Sequence, residues 1–238
     1  MRAGMSVDSH ASGAATPFSR ADLGGAAPHV LNKGRWANAT VLLHMHAGAQ
    51  WVVKDFRGCP LPYRTTFGRL MVRRELSALE RLRGLSGVPA DVFRLDAYAL
   101  AYRFVPGIEM ADAGPDRATP EYFRALESVV LAMHGRGVAH LDLRYGGNIL
   151  VSDAGAPLIV DFQSHVKLGG LPGFLRRGLE NADLAGVYKH WSHRHPESLG
   201  AERLAFLARA NKWRRLWVLK GYFGLKPRHH KNDPPESP

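Results

Sequence analysis

The chain has 238 residues, with 32 Lys and Arg against 21 Asp and Glu, a formal net charge of +11 and a pI near 10.1. A hydrophobic content of 45% and a charged content of 22% suit a protein that buries a core, and the length allows one full-sized domain or two lobes around a cleft. The single cysteine, Cys59, excludes an intrachain disulfide, no stretch reaches the ~18 apolar residues of a membrane span, and residues 1–16 lack the apolar run of a secretion signal, so the expectation is a cytoplasmic chain with polyanionic surroundings.

Residues 1–25 are rich in Ala, Gly and Ser without periodicity, and residues 225–238 carry Pro227, Pro234, Pro235 and Pro238 among polar side chains; both read as disordered tails. Apolar runs at His29–Leu31, Thr40–His44 and Trp51–Phe56, broken by Lys33-Gly34 and Ala47-Gly48, predict three antiparallel strands. Pro60 and Pro62 separate these from a helix over Phe67–Arg83, where Phe67, Leu70, Met71, Ala78, Leu79 and Leu82 recur at helical spacing and Gly84 and Gly87 end the run. Val92–Leu95 and Tyr98–Phe104 predict two more strands, and Pro106-Gly107 reads as a linker. After Pro120, the residues Tyr122, Phe123, Leu126, Val129, Val130 and Met133 share one helical face. Ile149–Val151 and Leu158–Val160 flank a turn over Ser152–Ala156, and helices dominate from there to about Tyr222. The expected fold is α+β and two-lobed, an antiparallel sheet with one helix over 26–106 followed by a mainly helical lobe over 107–224.

Two charged residues break apolar patterns. Lys54 follows Val52-Val53 inside the third strand, where an ammonium is costly unless it meets an anion. Glu75, four residues after Met71 and four before Leu79, lies on the apolar stripe of the following helix and needs a buried cation, whereas Glu80 points about 140° away. Further on, His140-Leu141-Asp142-Leu143-Arg144-Tyr145-Gly146-Gly147-Asn148-Ile149-Leu150 is followed after the hairpin by Ile159-Val160-Asp161-Phe162-Gln163. Asn148 enters one strand of that hairpin and Asp161 leaves the other, so the turn brings two oxygen ligands to the same end.

This order of residues, with Leu131–His140 leading into it, resembles the protein-kinase-like superfamily over roughly residues 29–185. The resemblance implies a kinase that transfers a phosphoryl group from ATP with Mg²⁺. Such a reaction needs oxygen ligands for the metal, cations on the phosphates and a carboxylate for the acceptor's proton. By resemblance, Asp142 orients the acceptor hydroxyl, Arg144 is a cation near the transferred group, Lys54 grips phosphates while Glu75 holds it, and Asn148 and Asp161 are the metal ligands. Arg103, Phe104 and Val105, after Tyr102, would form the hinge that reads adenine, and Lys33, Gly34 and Arg35 would cover the phosphates. No Ala-Pro-Glu follows Asp161, and the chain passes through Gly169–Gly173 into Asn181–Leu184, which is most similar to small bacterial lipopolysaccharide kinases of the Kdo and heptose group and their RIO-type relatives. That likeness implies a cell-envelope sugar as acceptor, with an RIO-like serine/threonine protein kinase or a catalytically weak scaffold as alternatives.

The chain departs from the family pattern at three places. The catalytic loop holds one residue more than usual, with Tyr145-Gly146-Gly147 as the point of bulging; Gln163 stands where a glycine is usual; and the phosphate-covering loop has a single glycine. Asp183 reads as a helix N-cap or a brace of the catalytic loop. The histidines from His190 to His195 read as a solvated basic turn and not a metal site. Residues 202–222 mix Leu204, Phe206, Leu207, Trp213, Leu216 and Trp217 with Arg and Lys, giving either a last helix packed on its lobe or a peripheral contact with the anionic inner face of the cytoplasmic membrane, a glycan or lipid-linked glycan being the partner; nucleic acid is the least favoured polyanion.

Overall fold

The computed structural model describes residues 17–24, 29–34 and 38–216, without the side chains of 213–216; the expectations placed on 1–16, on Arg35, on Trp213, Leu216 and Trp217, and on the tail 225–238 lie outside the described residues. Strands β1 (His29–Asn32), β2 (Thr40–His46), β3 (Ala49–Asp55), β4 (Phe93–Arg94) and β5 (Ala99–Arg103) form one antiparallel sheet in the order β1-β2-β3-β5-β4. Ala47 and Gly48, both at positive φ, turn β2 into β3 with the handedness that suits twisted strands. Side chains alternate along β3, so Val52 and Lys54 face one side with Leu100 and Tyr102 nearby in that core, and Trp51 and Val53 face the other.

The outer side of this sheet is covered by residues 17–24, which composition assigned to the disordered N-terminal tail. Phe18 is 4% exposed against Trp51 and Phe93, and the Arg20 guanidinium pairs with Asp55 at 2.6 Å and with Asp96. Trp51 and Phe93 would otherwise be wet, and that apolar burial is what orders the segment.

The helix beneath the sheet begins six residues earlier than expected. Helix α1 (Leu61–Tyr63) runs through a π turn (Arg64–Gly68) into α2 (Arg69–Arg81). Pro60 caps α1 and Pro62 falls within its first turn, where a missing N–H costs nothing, so these prolines start the helix and do not precede it. The π turn adds a residue and rotates the face that follows. Phe67 and Leu70, expected inside, are 52% and 48% exposed, while Val72, Ala78, Leu79 and Leu82 fill the interior.

Beyond Pro106 the chain enters β6 (Gly107–Glu109), an unpredicted strand that pairs with β8 (Ile149–Ser152). Only glycine allows this approach at 107, because a Cβ there would lie 2.5 Å from the Val151 carbonyl oxygen. Helix α3 (Pro120–Gly135), capped by the Thr119 side chain, buries Tyr122, Phe123, Leu126, Val130 and Met133. Strands β7 (Val138–Ala139) and β10 (Val166–Lys167) form a short ladder, and β8 pairs with β9 (Pro157–Ile159). Helices α4 (Gly173–Arg194), α5 (Pro196–Leu199) and α6 (Ala201–Leu216) complete the lobe. Two expectations are corrected here, and for residues 202–216 the packed-helix reading is the one observed. Asp183 lies inside α4 and not at a helix start. His190 and Trp191 are buried in the same helix, the ring of Trp191 stacked on Phe123 at 5.6 Å, so this stretch is no solvated turn. Helix α6 is packed on the lobe, Leu207 buried and Arg203 paired with Glu127 at 2.8 Å. Among the described residues no helix is long and apolar enough to cross a membrane.

Candidate active site

Strand β3 and helix α2 each deliver one charge to a water-poor point. Lys54 Nζ lies 2.7 Å from Glu75 Oε1 and 3.0 Å from Asp161 Oδ1. Glu75 is 0% exposed, and without Lys54 its charge would be stranded. Burial works against the Lys54 ammonium, but the carboxylates of Asp161 and Glu75 outweigh it and hold its pKa above the usual lysine value. Burial likewise pushes Asp161 up, and the Lys54 cation more than reverses this, so Asp161 stays ionised below the ordinary aspartate range. The Glu75 carboxyl is raised, burial exceeding the pull of Lys54.

The loop from His140 to Asn148 is held from behind by Asp183. Its Oδ2 accepts the His140 amide at 2.7 Å and the His134 ring nitrogen at 3.0 Å, and its Oδ1 accepts the Leu141 amide at 2.7 Å. These bonds fix Leu141 at φ 67°, a left-handed conformation uncommon for a side-chain-bearing residue; Asp161 has φ 65°. His140 Nε2 donates to the Val160 carbonyl at 3.0 Å while its Nδ1 accepts the Asp142 amide at 3.3 Å, which ties the loop to the residue before Asp161.

Asn148 Nδ2 donates to the Asp142 backbone oxygen at 3.0 Å and to Asp142 Oδ2 at 2.9 Å. The extra loop residue is thus absorbed before Asn148, at Gly146: φ is 76° there, and a Cβ would stand 3.1 Å from Met110 Cε and 3.3 Å from His190 Cε1. The backbone bond from Val160 N–H to the Asn148 carbonyl, 2.9 Å, sets Asn148 beside the approach to Asp161. Burial pushes the Asp142 carboxyl up, against the lowering effect of His140 and the Asn148 amide, and Asp161 is close enough to add to the rise.

The remaining expected residues divide. Arg103 stacks its guanidinium 4.1 Å above the Trp51 ring and pairs with Asp91 at 3.2 Å; the amides of Arg103 and Phe104 are already bonded to the carbonyls of Ala90 and Gln50, so neither N–H is available to read adenine. Val105 leads to Pro106, whose carbonyl takes the Asp153 amide. Lys33 and Gly34 follow β1, with Lys33 exposed; neither is joined to Lys54, Asp142 or Asp161 by a bond among the described residues. Arg144 is half-buried and near enough to His193 to help lower its pKa, after burial, Lys189 and Arg194, which sets its charge toward α4.

Arg74, which the sequence did not single out, and Gln163, which it marked only as a departure from the family pattern, complete the site. Arg74, next to Glu75, donates Nε to the Gln163 carbonyl at 2.8 Å and Nη2 to the His165 carbonyl. Gln163, in the usual glycine position, donates its side chain to Glu75 Oε2 at 3.5 Å and its amide to Asp161. Arg74 carries no periodicity or motif signal, and the contacts of both residues could not be read locally because their partners lie about ninety residues away in sequence.

A sheet with one helix over a helical lobe, a lysine between two carboxylates and a braced loop beneath them define a protein-kinase-like fold. Among solved structures the chain is similar to the Rio2 kinase from Chaetomium thermophilum, with a TM-score of 0.53 and 15% identity over 79% of this chain and 73% of that one. It is equally similar to the Rio2 kinase-ADP/Mg²⁺-phosphoaspartate complex from the same organism, TM-score 0.53 and 15% identity, covering 79% of this chain and 71% of the other. No model of a known family matches the sequence, and no curated protein matches it.

Proposed function

We propose that the chain is an ATP-dependent phosphotransferase acting on a hydroxyl acceptor. The observation that carries this reading is the meeting of the Lys54–Glu75–Asp161 cluster with the Asp142–Asn148 pair in one protein-kinase-like fold. In this reading residues 26–106 hold the nucleotide and residues 107–224 hold the acceptor. Lys54, kept charged by its carboxylates and oriented by Glu75, binds phosphate oxygens. Asp142, one oxygen engaged by Asn148, aligns the acceptor hydroxyl with the other and receives its proton.

The donor set also fits Mg²⁺. Asn148 spends its amide nitrogen on Asp142, which turns Oδ1 into the free acceptor, and Asp161 adds an ionised carboxylate; both are hard oxygen donors. Among the described residues no cluster of three or more His, Cys, Asp or Glu makes an all-protein cage, as suits an ion whose other ligands are phosphate oxygens and water. When bound, Mg²⁺ would neutralise charge developing on the phosphates.

For the acceptor, the short passage from Asp161 through β10 to α4 supports a small polar molecule such as a cell-envelope sugar, because little chain is left to form a peptide groove. The outward residues of α6, Leu204, Arg209 and Lys212, are the part open to an anionic membrane; its inner side is committed to Glu127 and the core. The likeness to Rio2 favours a second reading, transfer to a protein serine or threonine.

Incubation with γ-labelled ATP, Mg²⁺ and an envelope extract tests both. Label in a glycan fraction supports the first, label on protein the second. Asp142→Ala should lower transfer about a thousandfold while nucleotide still binds; transfer equal to that of the native chain would remove Asp142 from the chemistry. Binding of nucleotide with no transfer to any acceptor would instead mark a scaffold.

A further inference from the structure

On the side of α2 away from Lys54, a groove of about 440 Å³ is lined by Arg73, Arg74, Ser77, His165, Val166 and Lys167. No carboxylate lines it. Arg74 spends its guanidinium on the carbonyls of Gln163 and His165, which leaves its charge uncompensated, and Arg73 and Lys167 make no ion pair among the described residues. His165 is 3% exposed and donates Nδ1–H to the Phe162 carbonyl at 2.8 Å, so its Nε2 is the atom left for the groove. Cations from two elements, α2 and β10, therefore converge on a concave surface without an anion to balance them, and β10 pairs with β7, which leads directly into the catalytic loop.

We propose that this groove is a binding site for a phosphate group, either free phosphate or a phosphate monoester. Guanidinium and ammonium donors suit the oxygens of such an anion, and a dianion relieves the mutual repulsion of the three cations. The electrostatics of His165 agree with a cationic pocket. Burial lowers its pKa against the raising effect of the Phe162 carbonyl, and the cationic and titratable groups around it, Arg74 from α2, Lys167 from its own strand and His140 from the loop, lower it further. A bound anion reverses that sign. The proposal stands on the groove alone and does not depend on the phosphotransfer reading, which nucleotide binding and transfer assays test separately.

The test is an NMR titration of the histidine signals of the full chain with inorganic phosphate, against sodium chloride at equal ionic strength, with His165→Gln to assign the reporter. The expected result is a saturable, phosphate-specific shift of His165 accompanied by a rise in its pKa. The exposed pair Arg73→Glu and Lys167→Glu should weaken that binding by about tenfold or more, and the milder Lys167→Gln by less. A shift matched by chloride overturns the proposal. So does one that persists undiminished in the double variant, since the phosphate would then lie elsewhere, for instance beside Lys54. Vesicles of phosphatidylcholine with phosphatidic acid, whose headgroup is a phosphate monoester, separate the sources. Co-sedimentation lost in the double variant assigns a lipid phosphate, and a positive titration without co-sedimentation assigns a soluble one.

Discussion

Lys54 is the residue on which the most depends. It neutralises Glu75, which has no water to turn to, and it keeps Asp161 ionised. Lys54→Met is expected to lower the unfolding free energy by about 3 kcal/mol, because it strands a buried carboxylate, and Lys54→Met with Glu75→Leu should recover most of that loss without recovering nucleotide affinity. Urea unfolding with a nucleotide-binding assay on the three proteins checks both halves. The pair was legible in the sequence for one reason: each charge interrupts an apolar period, two residues for the strand and 3.6 for the helix. Asp183 offers no such contrast in local pattern. The sequence left it as either an N-cap or a brace, and its partners His134, His140 and Leu141, over forty residues away, decide for the brace once α4 is seen to pass behind the loop.

At the scale of elements, the strands of the sheet and helix α3 follow their apolar runs closely, while the helix under the sheet departs from its run at its start. The helix start was misread because proline breaks a helix interior yet suits its first turn, and Phe67 and Leu70 were misplaced because a π turn shifts the period ahead of the correctly read inward face of Glu75, Ala78, Leu79 and Leu82. The two-residue ladders β7 and β10 are too short to leave any periodic trace. Helix α4 carries a pH dependence of its own. Burial lowers His190 to a pKa of about 4, and its Nε2 lies 3.1 Å from the Leu143 carbonyl in the loop from His140 to Asn148. An unfolded histidine titrates near 6.5, so between these values the unfolded chain holds more protons; the stability that neutral His190 contributes is complete above about pH 6.5 and is lost as pH falls toward 4. Unfolding free energy should drop by about 2 kcal/mol from pH 7 to pH 5 on this account. His190→Gln, which keeps a donor for Leu143 and cannot titrate, should flatten denaturation curves over that window.

Across the whole molecule, the largest hydrophobic cluster joins Ala78, Leu79 and Leu82 of α2 to α3, α4 and the β8–β9 hairpin, so the helix under the sheet is packed into the helical lobe as well. The outer face of the sheet depends on residues 17–24. Phe18→Ala should cost about 3 kcal/mol of unfolding free energy; a change below a few tenths would return that segment to the status of a tail. Composition concealed this, because one aromatic and one arginine in a stretch of small residues average to a polar signal, whereas their partners Trp51, Phe93, Asp55 and Asp96 are found only in the folded sheet.

One feature bears on how the cleft can move. The chain crosses between the lobes at residues 103–107, and the same boundary is also spanned by Lys54 to Asp161, by Arg74 to Gln163 and His165, and by Arg136 to the Leu82 and Arg83 carbonyls. A body tied along one line swings like a door; tied along two, it is latched. Widening the mouth therefore requires the Lys54 and Arg74 links to part first, so that breathing of the cleft is a discrete release and not a gradual drift.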